Sequence, residues 1–303
     1  MPNTLAHIGI QSLATRSIIK NADFKWILIG CIIPDVPWIL QKLILVAFKV
    51  DIYDLRLYAT VQASFFFCII LSFLLATFAK GYWRVFIILS INSFLHLILD
   101  SLQTKWANGV HLFAPFNWQL INFGLFWPEN IVTYILTAFG FLYFWMKWPD
   151  SVKSKTELAF RPVPIIIILS IYVCLPFLFL SGPEDADNHY VKTLRSIETR
   201  EGKYIEVDRA GYIINNKKNI LSTYANEKIE VEGIKETSSK NNVSIQGTFI
   251  HHKLIKVSNY HTHYATFRDI ASYAGLFLVL LYWFCNILNK KLSKIKFPFQ
   301  KPT

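Results

Sequence analysis

The chain has 303 residues, 53% of them hydrophobic, with 25 Phe, 14 Tyr and 9 Trp and a formal net charge of +11. In a soluble protein so basic a balance would suggest a nucleic-acid partner. Here the apolar residues form runs close to the ~20 residues that cross a bilayer, and most Lys and Arg flank them, where they orient a membrane protein and meet anionic lipid. Nucleic acid is therefore set aside, and the composition points to an integral membrane protein.

Residues 4–20 alternate apolar and polar positions at helical spacing, which predicts a more polar first helix ending at Arg16 and Lys20. Candidate spans follow at 26–48, 57–79, 85–103, 119–146, 163–182 and 270–289, giving a mainly α polytopic bundle of six to seven helices. No basic segment followed by an apolar core and a small-residue cleavage site opens the chain, so no cleaved signal peptide is expected. All four cysteines fall inside spans without zinc-cluster spacing, and no structural disulfide is expected.

Counting Lys and Arg in the short loops gives fourteen on one side of the expected bundle and four on the other. The positive-inside rule places the richer side, with the C-terminal tail, in the cytoplasm. From the first cytoplasmic turn near position 21, His7 lies fourteen residues back and Asp35 fourteen forward. From the next, near Tyr82, His96 is fourteen residues along and Asp100 eighteen. At ~1.5 Å rise per residue the four side chains fall in one layer roughly 20–27 Å from the cytoplasmic ends.

Asp35 stands in Gly30-Cys31-Ile32-Ile33-Pro34-Asp35-Val36-Pro37, where two prolines predict a broken helix. A break inside a membrane is tolerated where it lines a cavity. The carboxylate there is either a ligand or a helix cap. His96 and Asp100, four apart, share one helix face. An apolar helix carries such groups only when they are paired, bind metal or face water. The alternative for the pair is a hydrogen-bonded contact that holds helices together. Imidazole with carboxylate suits zinc, with manganese or iron as alternatives, better than calcium.

Residues 104–118 are too polar for a span and too aromatic for a free loop. They are expected to form a re-entrant or interfacial flap, with Trp106 and Trp118 at headgroup level and His111 as a ligand, an acid/base group or an anchor. From 183 to 268 the pattern becomes period-two runs, 204–207, 228–232, 243–247 and 254–257, separated by turn residues. This predicts a small antiparallel β domain, an OB-like barrel on the extracytoplasmic side. Its His261 and His263 share one strand face and could bind metal. The domains are thus 1–182, transmembrane with the candidate site; 183–268, the β domain; and 269–303, the last span with a basic cytoplasmic tail.

His7, Gly30-x-x-x-Pro34-Asp35, His96-x-x-x-Asp100, Gly109 and Pro115-Phe116 together resemble the membrane-bound metal-dependent hydrolases, the group that includes a LexA-regulated inner-membrane-associated bacterial hydrolase. The resemblance covers the first half of the chain. It implies a divalent-metal site of His7, Asp35, His96 and Asp100, a hydrolytic activity and a bacterial inner membrane. Members of that family carry a Thr-His-Ser element where this chain has Thr60-Val61-Gln62-Ala63-Ser64, so that ligand position is either lost or taken by Gln62 or Asp54; otherwise Asp54 and Arg56 read as surface residues at a span end. The expected function is hydrolysis of a lipid-linked or phospholipid-type ester or phosphoester, with Asp35, Asp100 and His111 in the chemistry. The other class is a non-enzymatic scaffold or transport protein, its β domain binding an extracytoplasmic protein partner.

Overall fold

The computed structural model describes residues 3–149, 158–215, 218–234, 242–263 and 267–294. The protein is mostly helical, with one five-stranded barrel between its last two long apolar helices. Among the described residues four helices are long and apolar enough to cross a membrane: Phe24–Ala47, Tyr82–Ser101, Pro162–Asp185 and Phe267–Ile287. Ile52–Gln62 (α4) and Phe65–Ala76 (α5) are bent by 71° and pass the same test only together, as one broken span. The expected span at 119–146 is not a continuous helix: α7 runs only over Ile131–Lys147. Asn122, Gly124 at φ +59° and Pro128 hold the preceding residues in turns. Asn130 then caps α7 through its side-chain oxygen, which accepts from the Val132 amide at 3.0 Å.

The first helix, α1 (Thr4–Ile18), is the axle of the bundle. It packs against α2 (Phe24–Gly30), α6 (Tyr82–Ser101), α7 and the last helix, α11 (Phe267–Lys294), and is buried on nearly every side of its N-terminal half. Its polar residues explain how a helix so poor in apolar character is tolerated inside: Asn3 accepts from the Ala6 amide at 3.1 Å and donates to Thr137 on α7 at 2.6 Å. The helices approach at Gly140, where a Cβ would lie 1.8 Å from the Leu5 carbonyl oxygen. Only glycine fits that crossing.

The proline pair breaks the second apolar run as expected. The chain goes from α2 through a 3₁₀ turn at Ile33–Asp35 into α3 (Val36–Ala47). The break exposes the Cys31 carbonyl: Pro34 has no N–H, and the Asp35 amide donates to Ile32 instead, at 3.0 Å.

The segment between α6 and α7 is a folded lobe rather than a flap with loose ends. Gln103 bridges Phe126, Val110 bridges Ile121, and Trp106 meets Trp127 edge to face with centroids 5.1 Å apart. Trp118 is packed in protein: a Cβ on Gly182 would lie 2.1 Å from its indole nitrogen.

After α8 (Pro162–Cys174), two short helices, α9 (Ser181–Asp185) and α10 (Val191–Arg195), precede the barrel, so β structure begins at Tyr204 rather than soon after 183. They dock on α4 through Arg195, which pairs with Asp54, with Asp51 at 3.2 Å and with Glu184 at 3.1 Å. The barrel closes in the order β1 (Tyr204–Asn215), β2 (Lys218–Ser222), β3 (Lys228–Glu232), β5 (Leu254–His263), β4 (Asn242–His251) and back to β1. Its interior is apolar, with Ile205, Leu221, Ile229, Val243, Ile245 and Ile255 fully buried. The expectation of a purely antiparallel sheet is corrected: β3 and β5 run parallel. A closed ring with an odd number of strands cannot alternate direction throughout, so at least one parallel pair is unavoidable.

Gly140→Ala is expected to separate α1 from α7. It should lower stability by about 2–3 kcal/mol, at the upper end of overpacking costs, read as a fall in the thermal unfolding midpoint in detergent. An unchanged midpoint would contradict the packing described.

Candidate metal centre

Four ionisable side chains meet where α1, the α2–α3 break and α6 cross. His7 Nε2 lies 3.3 Å from Asp100 Oδ1, His96 Nε2 lies 3.7 Å from Asp35 Oδ1, and His96 Nε2 lies 3.8 Å from Asp100 Oδ2. The His7 and His96 rings stack with centroids 3.9 Å apart and planes 8° apart. Donor atoms of His7, His96 and Asp100 all lie within 4.8 Å of one another. Asp35 faces the same point from the broken helix.

Each donor is aimed by what surrounds it. His96 Nδ1 lies 2.7 Å from the Cys31 carbonyl, the oxygen that the proline break leaves without a backbone donor. That contact puts the ring proton on Nδ1 and leaves the Nε2 lone pair facing the centre. His7 Nδ1 is held by the Gln11 side-chain amide at 2.8 Å, one helical turn along α1. Asp35 occupies the cap position of α3 but makes no side-chain cap hydrogen bond, so the capping alternative is not realised. Gly30 lets α6 come close: a Cβ there would lie 2.5 Å from Asn92 Cβ.

The fit to a metal ion can be judged from the hydrogen bonds. His7 Nε2, His96 Nε2, Asp35 Oδ1 and Asp100 Oδ1 are all buried, and none has a hydrogen-bond partner. Leaving one buried polar atom unsatisfied costs about 1–3 kcal/mol; four that converge on one point, from α1, the α2–α3 break and α6, could hold a cation. Two imidazoles with two carboxylates are a donor set suited to zinc, manganese or iron(II).

Above the centre lies a cavity of about 450 Å³ between the helices and the barrel. Asp100 forms part of its wall, and Lys105, which the sequence did not single out, pairs with Asp100 at 3.3 Å. Lys42, Arg56, Lys105, Arg209 and Arg268 line it, against Asp100 and Asp208 as the carboxylates. Arg56 is thus no surface residue: its guanidinium packs 5.0 Å from the Trp38 ring centroid and 4.6 Å from that of Tyr224. A second cavity of about 130 Å³ opens on the Asp35 side, between α3 and α11, lined in part by Ile32, Ile39 and Leu276.

The expected replacements for the missing histidine are not at the centre. Gln62 bonds Tyr58 and the Tyr172 carbonyl, each at 3.1 Å, and Asp54 is taken by Arg195. His111 is buried on the wall of the large cavity, 3.5 Å from Asn188 and near Trp118, and does not join the ligand cluster. Burial holds it neutral by lowering its pKa to about 4. No family model, no curated protein and no solved structure matches this chain.

Two expectations follow. His96→Ala and Asp100→Asn each should lower the divalent-metal content of the purified protein, measured by elemental analysis, while helical circular dichroism is kept. Metal content equal to that of the native protein in both would refute the ligand assignment. For His111, both folded and unfolded forms are neutral above pH 6.5. Between 6.5 and 4 only the unfolded chain takes up the proton, so stability drops as pH falls through that window. From pH 7 to 4.5 the loss attributable to His111 is about 2 kcal/mol, at ~1.4 kcal/mol per pKa unit. His111→Gln should remove that share, read from unfolding curves at the two pH values.

Proposed function

We propose that the chain is a multi-pass hydrolase of the bacterial inner membrane acting on a lipid-linked phosphoester. The observation that carries this is the set of four converging buried donor atoms without hydrogen-bond partners, of which Asp100 reaches the wall of a cation-lined cavity. A divalent ion held by His7, His96 and Asp100 would activate water and polarise the scissile group. The chain's own residues supply the rest. Lys105 holds Asp100 ionised and in place. Asp35, outside the tightest group of three, is the carboxylate placed to take a proton from the attacking water. His111, neutral on the cavity wall, serves as a hydrogen-bonding or basic group rather than as an acid.

Five cationic side chains against two carboxylates favour a phosphoester over a neutral carboxylic ester, because developing negative charge is stabilised by fixed positive groups. The excess of Lys and Arg in the loops opposite the barrel orients the barrel outward and the C-terminus inward. The strand order and Greek-key return support an OB-type barrel. Its Arg209 reaches the cavity, which gives the barrel a part in holding the substrate headgroup.

The test is a panel of phospholipids and lipid-linked phosphates in mixed micelles with zinc or manganese, scored for released phosphate or headgroup. At least one class should be hydrolysed. Asp35→Asn should lower kcat about a hundredfold or more, the scale of losing a general base, and Arg56→Met should act mainly on KM. Metal-loaded protein that cleaves none of the panel would overturn the proposal.

A further inference from the structure

A second cluster of ligand-type residues lies where the barrel meets the lobe before α7, away from the first centre. His261 and His263 stand on one face at the end of β5, and Glu129 reaches them from the residue before the cap of α7. His263 Nδ1 is 2.9 Å from Glu129 Oε1, and His261 Nε2 is 3.6 Å from Glu129 Oε2. All three residues offer donor atoms within 4.8 Å of one another.

The protons on His263 are fixed by its other neighbours. The Ser244 hydroxyl donates to Asp208 at 3.0 Å and accepts from the Arg209 amide at 3.0 Å. With its proton given to Asp208, the Ser244 oxygen accepts from His263 Nε2, 2.8 Å away. The ring proton is thereby on Nε2, and the Nδ1 lone pair faces a carboxylate. A lone pair and an anion at 2.9 Å repel unless a cation sits between or beside them. Glu129 Oε2 and His261 Nε2 add two more buried atoms with no hydrogen-bond partner. Trp127 stacks flat on His261, 3.8 Å between centroids and 4° between planes, which fixes the direction of its nitrogen.

We infer that Glu129, His261 and His263 bind a second divalent transition-metal ion of the zinc class, which clips the end of β5 to the start of α7. Two imidazoles and one carboxylate are a known zinc donor set. Arg209 lies 2.8 Å from Oε1, the oxygen that His263 also faces, and leaves Oε2 without a partner beside His261. It is carried there by the bulge between Val207 and Ala210, where its φ of +50° turns it out of the ladder. The competing occupant of the cluster is a proton, which would make His263 an imidazolium paired with Glu129.

The inference does not rest on the hydrolase proposal, and the experiment separates them. Full-length His96→Ala/Asp100→Asn protein, stripped of metal and titrated with Co²⁺, should still bind one equivalent and develop visible ligand-field bands. Adding Glu129→Gln or His261→Ala to that background should weaken binding at least tenfold. Zn²⁺ should raise the thermal unfolding midpoint of the first variant and leave that of the Glu129→Gln triple variant unmoved, which shows that the loss is of the ligand and not of the fold. A His96→Ala/Asp100→Asn protein that binds no Co²⁺, or a triple variant that binds it as tightly, would overturn the second site and establish the proton instead.

Discussion

The structure depends on the cost of burying four titratable side chains inside a bundle of apolar helices. Unpaired charge in such a place is expensive, so every neighbouring element is shaped around holding those groups at one point. The prolines that break α2 from α3 turn Asp35 inward and free the Cys31 carbonyl for His96. Gly30 and Gly140 bring α6 and α7 close enough for α1 to sit at the centre of the bundle. A helix as polar as α1 belongs at the centre of this bundle because its polar residues aim or anchor something: Asn3 on α7, Gln11 on His7.

Around the centre the protein changes from apolar packing to charge. Its donors come from helices and a helix break, whereas the cavity above it is lined by cations drawn from α3, α4, the lobe, the barrel and α11. Position in sequence and role in the site are therefore separated. The ligands come from the first hundred residues, and the groups that face the cavity are gathered from positions 42 to 268. The barrel reaches the site through the bulge at Asp208 and Arg209 and through Tyr224 between β2 and β3, rather than through its regular ladder.

Much of this was legible in the sequence. Counting residues from the turns placed His7, Asp35, His96 and Asp100 at one depth because helical rise is nearly constant, and the structure brings these four together. Helix breaks at Pro34 and Pro37 and the period-two runs of the barrel were equally readable. The aiming groups were less so. Gln11 sits four residues from His7, a spacing that carries the signal, but the Cys31 carbonyl has no sequence signature, since its availability depends on where a neighbouring amide bonds. Glu129 was invisible because more than 130 residues of chain separate it from His261 and His263. The long apolar count over 119–146 hid Asn122, Gly124 and Pro128, whose turn chemistry outweighs hydropathy.

The parallel pairing of β3 with β5 has a bearing on how the chain is made. Without β5, strands 1 to 4 form an open sheet with β3 and β4 as its two bare edges, and β5 joins both. Exposed edges recruit other chains, so the nascent domain is at its most vulnerable until residues 254–263 have emerged. Phe267, the first residue of the final apolar helix, follows His263 after only three positions. Ring closure and the emergence of the last long apolar helix thus follow one another almost at once as the chain is made.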